Sequence, residues 1–365
     1  MAHQSESASR RSKGGEELNS PRRRRLLYPC FPHPGQTCSY RLRSFQRLGQ
    51  DVVLFDLSRY QRPWRIVKSI TQRFPVGPMV QAINRDLMRM VRACKPDVIF
   101  FDKPTQFTSE TLLEIRRNGI QTIYYNQDNP FGPRNDPGWY QLHRVFRLFD
   151  LHCAIRETDV IRFQQWGLNW VRVMLSFEPS IHFPEPATRS DEDRARQVSY
   201  IGHHHEDRPE FLRSLAMDYE IPITISGAPT WQKARPPEFF TRCFTHGQLI
   251  DDRYREEIWK SKINLSFITR LNQEDIGHKS VEIAACQGFL LALRCEGHQA
   301  IFEEDKEAVF FSSVEECADK CRFYLRRPDL RDAIARRGRE RAVRSGYDND
   351  TQLARILHHL DGAFT

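Results

Sequence analysis

The chain has 365 residues, a length that suits two domains of ordinary size, each with a buried core. Its composition, 39% hydrophobic and 28% charged, is globular, and no apolar run reaches the roughly 18 residues that a membrane-spanning helix needs. The formal net charge is +8, and half of this excess lies in residues 1–25. The body of the chain is therefore only mildly basic, which argues against a dedicated nucleic-acid-binding protein.

The cysteines indicate the compartment. Nine of them are scattered along the chain without a Cys-x-x-Cys pair. An odd number at irregular spacing is typical of reduced thiols rather than of a disulfide framework. The amino terminus also lacks the apolar core of a signal peptide. We therefore expect a soluble, cytoplasmic protein.

Residues 1–24 form a leader rich in Ser, Gly and Arg, with no apolar pattern. This composition predicts disorder. A basic arm of this kind can bind nucleic acid or an anionic lipid surface, or it can be only a solvated tail.

Strands and helices alternate over residues 25–184, which predicts a parallel sheet covered by helices. Strands are predicted at 25–28, 52–55, 97–101, 122–125 and 149–154, and helices at 40–48, 81–94, 108–117 and 157–165. The fourth strand ends in Asn-Gln-Asp-Asn-Pro at 126–130. Asp128 either forms the turn before Pro130 or presents a carboxylate at the carboxyl end of the sheet.

Residues 185–196 are polar and charged, as linkers are, and a second alternating series follows. Its strands are predicted at 197–201, 221–226, 262–269, 289–293 and near 308. Its helices are predicted at 251–261, 315–325, 329–345 and 351–360, and a long loop is predicted at 228–240. The first of these strands leads into Gly202, three consecutive histidines at 203–205, and Arg208, which could pair with Glu206 or Asp207. Neighbouring histidines in a loop rarely converge on one ion, so we predict no metal site.

The pattern of residues 262–311 predicts one βαβ unit, and in such units ligands bind at the carboxyl ends of the strands. A polar loop ends at Gly277, and the helix that follows is closed by Gly288. Lys279 falls in the first helical turn, where the helix dipole disfavours a cation unless an anion such as phosphate binds at the free amides. Glu274 lies in the loop and Glu282 in the second helical turn. In isolation, Lys279 could be merely exposed and Glu274 a solvated carboxylate.

This unit resembles the carboxy-terminal signature of GT-B glycosyltransferases, and most closely that of the CgeB-like (spore maturation protein) group. The matching residues are Lys279, the run Glu-Ile-Ala-Ala-Cys at 282–286, the apolar strand from Gly288 to Leu291, and Phe302 to Glu307. Two positions depart from the pattern. Gln287 is inserted where the group goes directly from Cys to Gly, and arginine is commoner than lysine at position 279.

The resemblance implies an α/β fold of two Rossmann-like αβα domains, residues 25–184 and 197–345, that face each other across a cleft. Residues 346–365 would hold a helix that crosses back to the first domain. The implied activity is transfer of a sugar from a nucleotide-diphosphate sugar to an unidentified acceptor, a glycan, a protein or a small molecule. The transfer would use no cofactor and no metal ion.

The resemblance also implies roles for individual residues. Glu274 and Asp128 would be the catalytic carboxylates, and the Glu-x7-Glu spacing of Glu274 and Glu282 is that of retaining enzymes. The donor would be bound by Gly202, His203, Arg208, Gly227, Lys279 and Glu282. Among these, Lys279 and Arg208 would meet the diphosphate, Glu282 the ribose, and the loop at Gly227 the base.

Two other functions fit the sequence. The chain could be a GT-B-like assembly or binding protein without turnover, although it retains Lys279 and Glu282. It could also be a glycosyltransferase that acts on nucleic-acid bases and is recruited by its basic leader.

Deleting residues 1–24 should leave the fold and the turnover of a small acceptor unchanged, because the leader cannot bury enough apolar surface to offset the entropy of ordering. DNA binding by the full and truncated chains, measured at several salt concentrations, tests the nucleic-acid alternative, since phosphate contacts are strongly salt dependent. Loss of turnover with an intact fold would contradict the prediction.

Overall fold

The structure is a computed structural model that describes residues 21–60, 77–134, 136–187, 189–233 and 237–362. Within these ranges the chain forms two parallel sheets of six strands each, and helices cover the sheets. Residues 1–20 of the predicted leader lie outside the described residues. In the ranges given above, no helix combines the length and the apolarity needed to cross a bilayer.

The first sheet has the strand order β2-β1-β3-β4-β5-β6. Its strands are β1 (Arg25–Cys30), β2 (Asp51–Asp56), β3 (Val98–Asp102), β4 (Gln121–Tyr125), β5 (Leu151–Ala154) and β6 (Trp170–Arg172). The helices packed on it are α1 (Thr37–Arg47), α2 (Pro78–Cys94), α3 (Ser109–Arg117), α4 (Trp139–Val145) and α5 (Glu157–Gln165). We call this unit the first domain.

The second sheet has the order β12-β11-β10-β7-β8-β9. Its strands are β7 (Arg196–Ile201), β8 (Ile223–Ser226), β9 (Phe244–His246), β10 (Ser261–Ser266), β11 (Leu290–Leu293) and β12 (Val309–Phe311). Its helices are α6 (Arg208–Met217), α7 (Pro237–Cys243), α8 (Asp251–Trp259), α9 (His278–Ala285), α10 (Glu296–Ile301), α11 (Val314–Leu325) and α12 (Pro328–Arg344). The chain ends in α13 (Asn349–Gly362). We call the second sheet and its helices the second domain.

Continuous apolar strands explain why both sheets are covered on two faces. In β1, Leu26 and Tyr28 enter the core on one face and Leu27 the core on the other, and all three side chains are inaccessible to solvent. Because successive side chains of a strand point to opposite faces, such a strand must be buried on both sides. This is the two-domain α/β architecture that the resemblance implied; the exact domain boundaries stay a prediction.

The strand orders locate the places where a ligand can bind. In the first sheet the order reverses between β1 and β3, and in the second between β7 and β10. Counted from β7, the second sheet has the order 3-2-1-4-5-6 of a dinucleotide-binding Rossmann sheet. Ligands of such sheets bind in the crevice at the carboxyl ends of the strands beside the reversal.

Several elements differ from the sequence predictions. The strands β6 and β9, of three residues each, and the helices α4 and α10 were not expected, and the predicted loop 228–240 contains a 3-10 turn and the start of α7. The helix α9 ends before the predicted cap. Gln287, with φ of 57°, occupies the left-handed position that we assigned to Gly288. The inserted residue therefore supplies the turn.

The segment that follows β6, which contains Glu178, and the last helix, α13, pack on the first domain through buried charges. Glu178 is fully buried between α1 and α13, and it accepts hydrogen bonds from Arg47 Nη2 (3.0 Å) and Asn349 Nδ2 (3.1 Å). Asp350 of α13 also pairs with Arg47, at 2.6 Å. Arg24 is buried and pairs with Asp361, so the folded contacts begin inside the predicted leader, and a truncation that spares Arg24 gives the cleaner test.

Arginines of α12 point inward to the carboxyl ends of three other helices. Arg331 donates to the carbonyl oxygen of Tyr324 in α11, and Arg339 to that of Ala285 in α9. Arg341 Nε donates to the carbonyl of Ile301 in α10, at 3.0 Å. A cation at a helix carboxyl end satisfies free carbonyls and complements the dipole.

Replacing Glu178 by Gln should lower the free energy of unfolding at pH 7 by about 1.5–3 kcal/mol, the range for hydrogen bonds to charged groups. Burial acts to raise the pKa of Glu178, but hydrogen bonds from Arg47, Ser180 and Asn349 outweigh it and lower the pKa. The stabilisation is thus complete above the ordinary pKa of about 4.3 and is lost as the pH falls through the lower folded-state value.

Chemical denaturation of both proteins at pH 7 and pH 3 measures this difference, which should shrink at the lower pH. Glu185→Gln is the matched control, because its pair with Arg189 is partly exposed and joins residues only four positions apart. We expect the control to cost less than about 1 kcal/mol. Equal losses for the two variants would contradict the assignment.

Candidate active site

A cavity of about 540 Å³ lies between the two domains at the carboxyl ends of their strands. All eight residues that we predicted as site residues line it, although they come from six separate segments: Asp128, Gly202, His203, Arg208, Gly227, Glu274, Lys279 and Glu282. The cavity therefore lies at the reversal points of both sheets, as the strand orders require.

Lys279 is a cation without a hydrogen-bonded partner in the described part of the chain. It lies in the first turn of α9, whose N-cap is Gly277, and its Nζ is 4.8 Å from the ring centroid of Tyr254. Burial lowers the pKa of Lys279, while Glu282 acts to raise it. An ammonium group beside the free amides of a helix start is suited to an anion.

Glu282 lies one turn further along α9 and is 7% exposed. Tyr254 donates its hydroxyl to Glu282 Oε2 at 2.7 Å, and Nε2 of His278 is 3.6 Å from Oε1. Burial would raise the pKa of Glu282, but His278, His182 and Lys279 outweigh burial, and the pKa falls to about 2. The carboxylate is therefore ionised at neutral pH and can accept hydrogen bonds from ligand hydroxyls.

Arg208, the first residue of α6, carries a charge that no carboxylate neutralises within the described ranges. Its Nη2 donates to the Ile268 carbonyl and to Thr269 Oγ1, both at 2.9 Å, and its Nε is buried without a partner. The pairing with Glu206 or Asp207 that the sequence left open does not form. Asp207 pairs with Arg270 at 3.0 Å, and Glu206 accepts the Leu271 N–H.

Gly202 and Gly227 allow two loops to touch beneath the cavity. Gly202 N–H donates to the Ser226 carbonyl, and Trp231 Nε1 donates to the Gly202 carbonyl, both at 2.9 Å. A methyl group on Gly227 would overlap that same carbonyl oxygen. Trp231 is 1% exposed, so its place in the core explains its presence in this loop.

The three histidines at 203–205 lie in the loop between β7 and α6. Among the described residues no group of three His, Cys, Asp or Glu side chains is placed to hold a metal ion. Burial, aided by nearby cations, lowers the pKa of His203 and lowers that of His205 to about 4. These two side chains are therefore neutral at pH 7, and His203 offers hydrogen-bonding nitrogens rather than charge.

Glu274 lies in the loop between β10 and α9, and both of its oxygens are held. Oε2 accepts the Thr269 N–H at 2.7 Å, and Oε1 accepts Asn272 Nδ2 at 3.1 Å. The solvated loop carboxylate that the sequence also allowed is not found. This carboxylate is fixed at the wall of the cavity.

Asp128 lines the same cavity from the first domain and is paired with two cations. Lys103 Nζ is 2.7 Å from its Oδ2, and Arg134 Nη1 is 3.0 Å from its Oδ1. Asn126, and not Asp128, makes the turn, because its Oδ1 accepts the Asp128 N–H. Burial would raise the pKa of Asp128, but Lys103 and Arg134 outweigh burial and lower it. An ionised, paired carboxylate can orient a ligand hydroxyl but is a weak base at neutral pH.

Sequence reasoning missed several residues that line the cavity. Tyr254 and His182 surround Glu282, and Tyr40 of α1 donates its hydroxyl to Asp251 of α8 across the cleft, at 2.5 Å. Asp251 has a left-handed backbone with φ of 49°, a conformation that is uncommon outside glycine but that Asp adopts more readily than most residues. No motif marks these residues, because packing alone brings them to the site.

Comparison with known proteins agrees with this geometry. Residues 196–358 match the family model described as glycosyl transferase-like. None of the curated protein sequences that were compared matches the chain.

Solved structures resemble this chain over more than nine-tenths of its length. Sucrose-phosphate synthase from Thermosynechococcus elongatus covers 93% of this chain and 100% of its own, with a TM-score of 0.68 at 10% identity. HepE from Anabaena, solved with UDP-glucose, covers 93% and 100%, with a TM-score of 0.62 at 14% identity. A glycosyltransferase from Rickettsia africae covers 92% and 97%, with a TM-score of 0.61 at 12% identity. The chain therefore has the GT-B fold.

Gly227→Ala should destabilise the protein by about 1–3 kcal/mol, the usual cost of overpacking. The added methyl group would overlap the Gly202 carbonyl oxygen and lie 2.9 Å from Trp231 Nε1. Thermal denaturation measures the effect. Gly247→Ala is the matched control, since no described atom lies within 4 Å of its added methyl group. A Gly227 variant as stable as this control would show that the two loops can separate freely.

Proposed function

We propose that this protein is a GT-B glycosyltransferase that transfers a sugar from a nucleotide-diphosphate sugar to an acceptor bound at the first domain. The observation that carries the proposal is a pair of cations, Lys279 and Arg208, that form no ion pair in the described ranges. They line the cavity at the amino end of α9 together with an ionised Glu282. The family match over residues 196–358 and the UDP-glucose bound by HepE support this donor class.

Departure of the leaving group places negative charge on the nucleotide diphosphate, so catalysis requires positive groups that are already in place. Lys279, Arg208 and the free amides of α9 supply them at the diphosphate, so the transfer needs no bound metal ion. Gly202 and Gly227 let the donor approach the backbone of the second domain. His203 donates or accepts hydrogen bonds as a neutral ring.

We assign the ribose hydroxyls to Glu282, whose carboxylate is ionised and lies one turn beyond Lys279. Glu274 is assigned to the sugar, where its fixed carboxylate would stabilise the developing positive charge. The spacing of the two glutamates supports a retaining transfer. Asp128 would orient the acceptor hydroxyl rather than remove its proton, because Lys103 and Arg134 hold the Asp128 carboxylate ionised.

Two finer assignments belong to the same proposal. The matching residues from Lys279 to Cys286 and from Phe302 to Glu307 support a place in the CgeB-like group, with Gln287 as a departure that the fold accommodates. All nine cysteines are free thiols, which supports a reducing compartment, and we propose the cytoplasm.

Lys279→Ala should weaken the binding of a nucleoside diphosphate by about tenfold or more, since a charge-assisted contact contributes roughly 1.5–3 kcal/mol. Glu282→Gln should keep the fold and lose nucleoside affinity. Calorimetry measures both effects, after a thermal-shift screen of nucleoside diphosphates and nucleotide sugars has identified the donor, because a specific ligand raises the melting temperature.

Lys260→Ala is the control, because Lys260 pairs with Glu256 on the surface of α8. Variants that bind the donor as tightly as the wild type would contradict the site assignment. Donor binding without sugar transfer to any acceptor would favour the non-catalytic alternative. Salt-dependent DNA binding through the leader would favour the nucleic-acid alternative.

A further inference from the structure

Two loops meet across the cleft at one end of the cavity. Residues 126–130 follow β4, residues 270–275 follow β10, and we call their contact the cross-cleft loop pair. Asn129 N–H donates to Asn272 Oδ1 at 2.6 Å, and Asn129 Nδ2 donates to Gln273 Oε1 at 2.7 Å. Asn129 is inaccessible to solvent, and Asn272 is 4% exposed. Contacts with the first domain thus help to fix the conformation of the loop that carries Glu274.

Arg156 binds both loops from beneath. It is 1% exposed, its Nε donates to the Asn272 carbonyl at 2.8 Å, and its Nη2 donates to the Gln127 carbonyl. Its charge is paired with Asp159 at 3.3 Å. One buried guanidinium therefore satisfies a carbonyl from each domain, which fixes the relative position of the two loops.

The side-chain amide of Asn272 links the two loops to Glu274 through hydrogen bonds. Its Nδ2 donates to Glu274 Oε1 at 3.1 Å and to the Gln127 carbonyl at 3.3 Å, while its Oδ1 accepts the Asn129 N–H. The amide hence contacts both loops and the carboxylate at once. The other oxygen of Glu274 is held by Thr269, whose hydroxyl accepts from Arg208.

We propose that Asn272 is a positioning residue that sets the Glu274 carboxylate against the first-domain wall of the cavity, where Asp128 lies. The inference rests on the proposed glycosyl transfer. A side-chain amide is required because one end must donate to a carboxylate while the other accepts a backbone N–H. Aspartate keeps the size and the acceptor but faces Glu274 and the Gln127 carbonyl with a second anion.

Steady-state kinetics of Asn272→Ala and Asn272→Asp test the proposal. We expect kcat to fall by about 10- to 100-fold, because misplacing a catalytic group by about 1 Å can cost 100-fold. The affinity for the nucleoside diphosphate, measured by calorimetry, should stay within about twofold, because the contacts of Lys279 and Arg208 remain. Rates for the aspartate variant should fall at least as far as those for the alanine variant, although it conserves volume.

Arg172→Ala is the matched control. Arg172 pairs with Asp275 across the same cleft, at 2.8 Å, but the hydrogen bonds described for the Glu274 carboxylate come from Thr269 and Asn272. This variant should keep the wild-type kcat, and thermal denaturation of all variants establishes that they fold.

The outcomes separate the inference from the proposed function. Asn272 variants with the wild-type kcat would overturn the inference alone, and so would an equal loss in Arg172→Ala, since domain contact in general would then explain it. A wild-type protein that neither binds a nucleoside diphosphate nor transfers a sugar would overturn the proposed function and the inference with it.

Discussion

The arrangement of the two domains depends on a buried charge. Removing a guanidinium from water costs several kcal/mol unless its donors are satisfied. Arg156 finds its acceptors in both domains: the Gln127 carbonyl after β4, the Asn272 carbonyl after β10, and the carboxylate of Asp159. Opening the cleft here would leave donors of a buried cation without acceptors. The charge therefore favours the closed arrangement, in which the reversal points of both sheets face each other and the cavity has two walls.

The charges around the cavity fall into two groups, and the difference gives the site its chemical character. On the first domain, Lys103 and Arg134 pair with Asp128, and Lys103 also pairs with Asp136 at 3.4 Å, so two carboxylates balance these two cations. On the second domain, Lys279 and Arg208 have no carboxylate within ion-pair distance in the described ranges. A cation that forms no ion pair in a partly buried site favours an anionic ligand, because the low local dielectric weakens screening. This distribution of charge favours an anion at the second domain and a neutral group at the first.

Local patterns predicted the sheets because apolar strands at regular intervals are a local signal. The same kind of pattern predicted that Lys279 and Glu282 lie on one helix, but their roles came from the family resemblance and stay a prediction. The misses have physical causes. The strands β6 and β9 have three residues each, too few to show a period. Asn272 and His182 look like ordinary loop residues, because their importance comes from partners such as Asn129 and Glu282, about 100 or more positions away. Gln287 was unexpected because glycine usually occupies the left-handed turn after a helix.

Three arginines of α12 contribute to the net charge of the molecule but lie at the ends of neighbouring helices. Arg331, Arg339 and Arg341 each cap the carboxyl end of a neighbouring helix. Their charge is used inside the fold, where it balances partial negative charges of backbone carbonyls. These three guanidinium groups are therefore less available to an external polyanion than the formal charge of +8 suggests. The same arrangement places a cation, Arg339, at the carboxyl end of α9, the helix whose amino end faces the cavity. The partial negative charge at that carboxyl end is thus balanced by the protein itself, without a ligand.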